Sequence, residues 1–214
     1  KITIHLITIL KKSLLLLSVL IITTANAQNN KIDSLLNKLD DDINDSVKCE
    51  VYYQLMHEMI YDYPSQSLVH ARNYLKLAQT VSLKEEIAAN NNLGIVYYNL
   101  GFLDKTVTHF SESIRLLDQE KDVSRMARML NNLANVYDEM KQYDQALNYY
   151  RKSIDMRIKN NDDSTTISAN FGNFGIAYLN LNELDSAYKY IRLSFSLDKQ
   201  LGDSIGLLYS GSTL

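Results

Sequence analysis

The chain has 214 residues, a formal net charge of −3, a single cysteine and no tryptophan. That length holds one sizeable domain or a short array of repeats, and a mildly acidic surface argues against a nucleic-acid binder, whose affinity rests on clustered Lys and Arg facing phosphates. With one Cys, at position 49, no internal disulfide forms, so an apolar core must hold the fold and Cys49 reads as a small buried hydrophobe.

At the amino terminus Lys1, Lys11 and Lys12 precede an apolar run from Ser13 to Thr24, and then Ala25-Asn26-Ala27. A charged leader, a short apolar stretch and a small-x-small site are what the export machinery and signal peptidase require, which predicts residues 1–27 as a signal peptide cut before Gln28. The run falls short of the roughly 20 apolar residues that span a bilayer. Ile2 to Leu10 is also largely apolar, which keeps an uncleaved anchor open as the alternative. Either way the remainder is expected outside the cytoplasm. Loss of the three leader lysines takes the net charge from −3 to −6 and leaves Gln28 to Leu214 as the mature chain. No Cys lies beside the cleavage site to accept a lipid.

One Pro and seven Gly leave few breakers, and beyond residue 27 helical spacing recurs with no strand expected. Residues 28–44 hold a short amphipathic helix, Ile32 to Leu39, read as a cap on the open end of a helical stack. Over 45–83, Leu55, Met59 and Ile60 mark one helix and Leu68, Ala71, Leu75 and Ala78 a second, joined through Tyr63-Pro64-Ser65, where Pro64 suits a helix start. Leu93, Val96, Tyr97 and Leu100 then share one helix face, as do Met129, Leu133, Val136, Tyr137 and Met140. Polar breaks fall at Asn99–Asp104, Gln119–Asp122, Lys141–Asp144, Lys159–Ser164, Asn180–Asp185 and Leu201–Ser204. Asp104, Asp144 and Asp185 are expected to cap the helices they open.

Three segments align in register, beginning at positions 92, 132 and 173: Asn92-Leu93-Gly94-Ile95-Val96-Tyr97, Asn132-Leu133-Ala134-Asn135-Val136-Tyr137 and Asn173-Phe174-Gly175-Ile176-Ala177-Tyr178. A second match follows each, at Asp104-Lys105-Thr106 to Phe110, Asp144-Gln145-Ala146 to Tyr150 and Asp185-Ser186-Ala187 to Ile191. The unit is therefore a helical hairpin. Small residues at Gly94, Ala134 and Gly175, and at Thr106, Ala146 and Ala187, let its two helices approach closely, while Tyr97, Tyr137 and Tyr178 are expected to fill the space between hairpins. Repeats are assigned to 84–121, 122–162 and 163–202, with 203–214 as the first helix of a further one. With no initiator Met, both ends read as those of a fragment.

The second unit, Leu130-x-x-Leu133-Ala134-x-x-Tyr137 followed by Ala146-x-x-x-Tyr150, resembles the tetratricopeptide repeat family, without the family's Trp and closing Pro. Its spacing is about 40 residues where the family pattern has about 34, which makes it similar to a longer-helix variety of the repeat. The resemblance implies an all-α, right-handed superhelical solenoid of antiparallel hairpins, whose concave face is lined by the first helix of each hairpin and holds a peptide or protein. Asn92, Asn132 and Asn173 share a column with Asn91, Asn131 and Asn135 beside it, similar to the asparagine ladders of peptide-binding members. An amide both donates and accepts, so a row of them can pair with a peptide backbone. The alternative is that these amides bond neighbouring helix backbone. Tyr98, Asn99, Arg128, Asp138, Glu139 and Asn180 fall on the same face and would add selectivity. Only Arg128 among them is cationic, which disfavours a clamp for a terminal carboxylate.

No catalytic set emerges. Of the His residues at 5, 57, 70 and 109, none has the partner spacing of a metal motif, and Asp40-Asp41-Asp42-Ile43-Asn44-Asp45 lacks the central Gly and distal Glu of a calcium loop. No phosphate loop or nucleophile elbow appears, so neither enzyme activity, nor cofactor, nor metal is expected. The leading reading is an exported scaffold in the periplasm or cell envelope of a Gram-negative bacterium that binds a peptide or protein, with no nucleic acid. The alternative is the extracytoplasmic sensor region of a longer histidine kinase or DNA-binding regulator, as in Bacteroidota-like bacteria, touching the membrane only through an uncleaved signal or a missing carboxy-terminal segment.

Overall fold

The structure, a computed structural model, describes residues 28–213, so the predicted signal peptide and Leu214 lie outside the described residues. Every regular element among them is a helix: α1 (28–40), α2 (Asp45–Met59), α3 (Pro64–Val81), α4 (Leu83–Asn99), α5 (Leu103–Glu120), α6 (Val123–Glu139), α7 (Tyr143–Lys159), α8 (Ser164–Asn180), α9 (Leu184–Leu201) and α10 (Ser204–Thr213). The chain divides into two compact units between Leu77 and Ala78.

In the first unit α1 buries Ile32 and Leu35 against Val51, Leu55 and Met59 of α2. The Asn44 side chain caps α2 by accepting from Val47 N at 3.0 Å, which uses the acidic run 40–45 as a helix junction. Ser67 Oγ donates to Met56 O at 2.8 Å and ties α3 to α2. Cys49 is buried, as its composition suggested.

The second unit stacks three antiparallel hairpins, α4–α5, α6–α7 and α8–α9, with α10 packed on α8 and α9. What folds each hairpin back is a left-handed residue at every turn. Gly101, Lys141 and Asn182 close the hairpins, and Lys121, Asn161 and Gly202 join them, all with φ between 54° and 75°. Each closing turn also bonds an amide to a carbonyl of the last helical turn, as in Phe102 N to Tyr97 O (2.9 Å), Gln142 N to Tyr137 O (2.8 Å) and Glu183 N to Tyr178 O (2.9 Å), satisfying acceptors that a helix end would leave open.

These turns change how the second helices start. The residues that open them are Phe102, Gln142 and Glu183, whose carbonyls accept from Thr106, Ala146 and Ala187, and none makes a side-chain cap bond. Asp104, Asp144 and Asp185 are thus inside the first turn and are not caps. The bond that closes the turn draws the chain into helix two positions ahead of each aspartate, which acts there through the positive end of the helix dipole. True caps open two of the three first helices: Ser82 Oγ accepts from Glu85 N at 3.1 Å and Asp122 Oδ1 from Arg125 N at 2.9 Å, whereas Asp163 opens α8 without a side-chain cap bond.

Within each hairpin the two helices meet at one small residue. A Cβ on Gly94 would lie 2.5 Å from Phe110 Cδ1, and one on Gly175 would lie 2.5 Å from Ile191 Cγ1 and 3.0 Å from Ile191 N. Ala134 occupies the same column and is buried with Tyr150. The close approach also gives each residue of the tyrosine column a partner inside its own hairpin, while Tyr137 packs as expected against clusters shared with the hairpins on either side. Tyr97 stacks on His109, Tyr137 on Tyr149 and Tyr178 on Tyr190, at centroid separations of 5.4, 5.4 and 5.5 Å and within 12° of parallel. Each tyrosine thus locks its own hairpin, because helices this close bring the two rings face to face. A buried serine adds a polar tie on the second helix. Ser113 Oγ donates to Ile87 O (3.2 Å), Ser153 Oγ to Ala127 O (2.6 Å), and in the third hairpin Ser194 O accepts from Ser168 (3.0 Å).

Between the first and second hairpins the core is mostly aliphatic, with Ile87, Leu116, Leu117, Met129, Leu133 and Val136 around Phe110, while Tyr150 and Phe174 bring aromatic rings into the core between the second and third. Two charges share the column of Leu117: Arg157 and Asp198, both buried. Arg157 pairs with Asp162, while Asp198 accepts from the hydroxyls of Ser168 and Ser210 and so ties α10 to α8 and α9.

Gly175→Ala is expected to cost about 1–3 kcal/mol in urea melts. Gly94→Ala is expected to cost less, because the Cβ on Gly94 meets only the Phe110 and His109 side chains, which can shift, whereas that on Gly175 also meets the Ile191 and Ala187 backbone.

Candidate functional site

Because α5 and α7 intervene as antiparallel partners, α4, α6 and α8 run parallel, and side chains at a constant offset meet across them. Asn131 of α6 accepts from Asn173 of α8 at 3.4 Å, and Asp138 accepts from Asn180 at 3.0 and 3.1 Å, the same sequence offset in both pairs. Tyr98 of α4 hydrogen-bonds Glu139 of α6. These three links lie along one face, with the amino ends of the helices at one edge and the carboxyl ends at the other.

At the amino edge Arg125, Arg128 and Arg157 converge with Ser124, Asp162 and Thr166 around a recess of about 320 Å³. Arg125 is committed to Asp122 at 2.6 Å and to Glu120. Arg157 is 6% exposed, donates to Asp162 at 3.2 Å and leaves Nε without a partner; its burial pushes the guanidinium pKa down. Hydrogen bonds from Ser124 and Asn160 hold the Asp162 carboxyl below its usual range. Arg128 is exposed.

In the middle, the structure brings together some of the amides and separates others. Asn131, Asn132, Asn135 and Asn173 are half-buried on this face, and Asn135 Oδ1 accepts from Tyr150 Oη at 2.5 Å. Asn92, in the column of Asn132 and Asn173, is 6% exposed and belongs to the interior of α4. Asn91 keeps a buried carbonyl oxygen with no partner. Between α4 and α6 a pocket of about 200 Å³ opens, with Ile95, Val136 and Phe110 as its apolar part and Tyr98, Asn132 and Asn135 as its polar part.

At the carboxyl edge Asp138, Glu139, Tyr98 and Asn180 gather, whereas Asn99 turns back to donate to Ile95 O of its own helix at 2.9 Å. The bond to Glu139 is the main reason the Tyr98 phenol is pushed up to about 12, with burial and the charge of Glu139 adding to it. Burial, followed by the charge of Asp138, pushes the Tyr150 phenol upward as well. Neither Asp138 nor Glu139 makes an ion pair among the described residues.

Sequence reasoning passed over Arg125 and Arg157 as groove neighbours, since their convergence with Arg128 depends on where the α7–α8 turn folds. It also passed over the serine column, for which the recurrence of Ser113, Ser153 and Ser194 at the repeat period was a usable signal. Among the described residues no group of three or more His, Cys, Asp or Glu side chains is placed to hold a metal ion, and no helix is long and apolar enough to cross a membrane.

Family models described as tetratricopeptide repeat match residues 85–159 and 170–201. Among solved structures, the chain is similar to the apo form of RapI (14% identity, TM-score 0.77, covering 88% of this chain and 53% of that one). It is also similar to aspartyl phosphate phosphatase F from Bacillus subtilis (17% identity, TM-score 0.73, 80% and 45% covered) and to BtubC from P. vanneervenii (15% identity, TM-score 0.70, 80% and 71% covered). The chain spans about half the length of the first two, and identities this low speak for the fold alone. No curated protein matches the chain.

A group whose folded pKa is raised contributes stability that is intact below its unfolded value and fades above it. The share from Tyr98 is therefore expected to be present up to about pH 10, the ordinary phenol value, and to be lost as pH climbs toward 12. In phenolate absorbance titrations, subtracting Tyr98→Phe from the parent isolates one tyrosine ionising near 12, and Glu139→Gln is expected to return it toward 10.

Proposed function

Since the chain belongs to the tetratricopeptide repeat family, we propose that it is an extracytoplasmic scaffold that captures a peptide or protein segment along the face of α4, α6 and α8. The observation that carries this reading is the mid-face set Asn131, Asn132, Asn135 and Asn173, half-buried amides held in register beside an apolar pocket. Each amide has both a donor and an acceptor end, and one bond within the protein leaves the rest of its capacity for a ligand backbone. The links Asn131–Asn173, Asp138–Asn180 and Tyr98–Glu139 hold the three helices at fixed offsets before any ligand arrives, which lowers the ordering cost of binding. Export rests on the charged, apolar and small-residue order of residues 1–27. A free envelope scaffold and the input region of a longer signalling protein both place capture in this groove.

Asn132→Ala combined with Asn173→Ala is expected to weaken binding of a mixed pool of capped octapeptides by about tenfold, or about 1.4 kcal/mol, in fluorescence anisotropy, with helicity by circular dichroism unchanged. Unaltered affinity would reject the groove. Amino-terminal sequencing of chain recovered from the periplasm of a Gram-negative host is expected to begin at Gln28; a start ahead of the Ala25-Asn26-Ala27 site would show the leader retained.

A further inference from the structure

The groove has two electrical ends, and the reason lies in its construction. Three parallel helices place their carboxyl termini at one edge, where partial negative charge accumulates, and Asp138 and Glu139 add two carboxylates there. No cation pairs with either among the described residues. The hydrogen bond to Glu139 is the main reason the Tyr98 phenol holds its proton more tightly, and burial is the main reason for Tyr150, with the charge of Glu139 adding to the first and that of Asp138 to the second. One side of the pocket is directly adjacent: Tyr98 lines it and hydrogen-bonds Glu139, and Asn135 lines it one helical turn before Asp138.

Resting on the peptide-capture reading above, we infer that the groove selects a segment carrying an aliphatic side chain for the pocket and a lysine or arginine for Asp138 and Glu139. The pocket, at about 200 Å³, has room for one Leu, Ile or Met side chain, and Ile95, Val136 and Phe110 supply the apolar contact. Asn132 and Asn135 at the same pocket are positioned for the flanking backbone. Spacing follows from geometry. At roughly 1.5 Å per helical residue, Asn135 to Asp138 is about 4.5 Å and Asn132 to Glu139 about 10.5 Å along α6. An extended ligand advances about 3.3 Å per residue, so the basic residue falls one to three positions from the aliphatic one. An acidic residue at that position would face Asp138 and Glu139 without compensation, so the same edge acts against acidic ligands.

The probe is four pools of octapeptides, acetylated and amidated at their ends, with a fixed pair two positions apart in either order: Leu/Lys, Leu/Glu, Ser/Lys and Ser/Glu, the other positions being Ala, Gly, Ser or Thr. Fluorescence anisotropy on the full chain is expected to rank Leu/Lys first, about tenfold or more above Ser/Lys and Leu/Glu. Asp138→Asn with Glu139→Gln is expected to erase the Lys preference while keeping the Leu preference, and Ile95→Trp, which fills the pocket, to do the reverse. Equal binding of all four pools, still lost in the Asn132 and Asn173 variant, would overturn the selectivity while leaving peptide capture intact. Binding of none would overturn both. A preference for Leu/Glu would overturn the assigned polarity.

Discussion

The interaction on which the rest depends is the contact between a residue with little or no side chain and a large one inside each hairpin: Gly94 under Phe110, Ala134 with Tyr150, Gly175 under Ile191. Where a Cβ would come within 2.5 Å of its neighbour, the helix backbones are as near as packing permits. That nearness makes the stacked ring pairs possible and lets a serine hydroxyl reach a carbonyl of the facing helix, as Ser153 does at 2.6 Å from Ala127 O. One steric choice thus fixes two other contacts per hairpin. Repetition in register, from Gly94 to Ala134 to Gly175, carries the same set along the array.

Stacking identical hairpins has an electrostatic consequence. First helices are separated by antiparallel second helices, so they must be parallel to each other, and parallel helices add their dipoles instead of cancelling them. Arg125 and Arg128 near the start of α6, and Asp138 and Glu139 at its end, lie in the less favourable sense for that helix, whereas Arg157 sits in the last turn of α7, where a cation is favoured. Arg125 is neutralised by Asp122 and Glu120, and Arg157 by Asp162. Among the described residues, Asp138 is met by the amide of Asn180 and Glu139 by the phenol of Tyr98, and neither by a cation. Residues that cost local stability without a counter-charge fit a surface built to be completed by something else.

Much of this was legible in the sequence because repetition multiplies weak signals. A single Leu-Gly-x-x-Tyr says little, but that segment in register with Leu-Ala-x-x-Tyr and Phe-Gly-x-x-Tyr revealed the hairpin unit, the small-residue column, and a fold that family matches and similar solved structures bear out. Helix entry was read less well. An aspartate after a polar break resembles a cap, yet the left-handed turn residue ahead of it had already begun the helix at Phe102, Gln142 and Glu183. Lys121 and Lys141 carry no conformational signature in their identity, so only their alignment with Gly202 and Gly101 could have marked those turns.

What the sequence alone determined is the periodic part: helix, hairpin, spacing, and which columns are small, apolar or amide-bearing, since each follows from local backbone preference and the helical period. Tertiary structure decided how far each column turns toward solvent. It placed Asn92 inside while Asn132 and Asn173 stay on the face, turned Asn99 back on its own helix, and joined Arg157 from α7 to Arg128 from α6. Those outcomes depend on the rotation of each helix against its neighbours and on the path of the turns between them. Both are set by the sum of packing contacts between hairpins, which no single repeat contains.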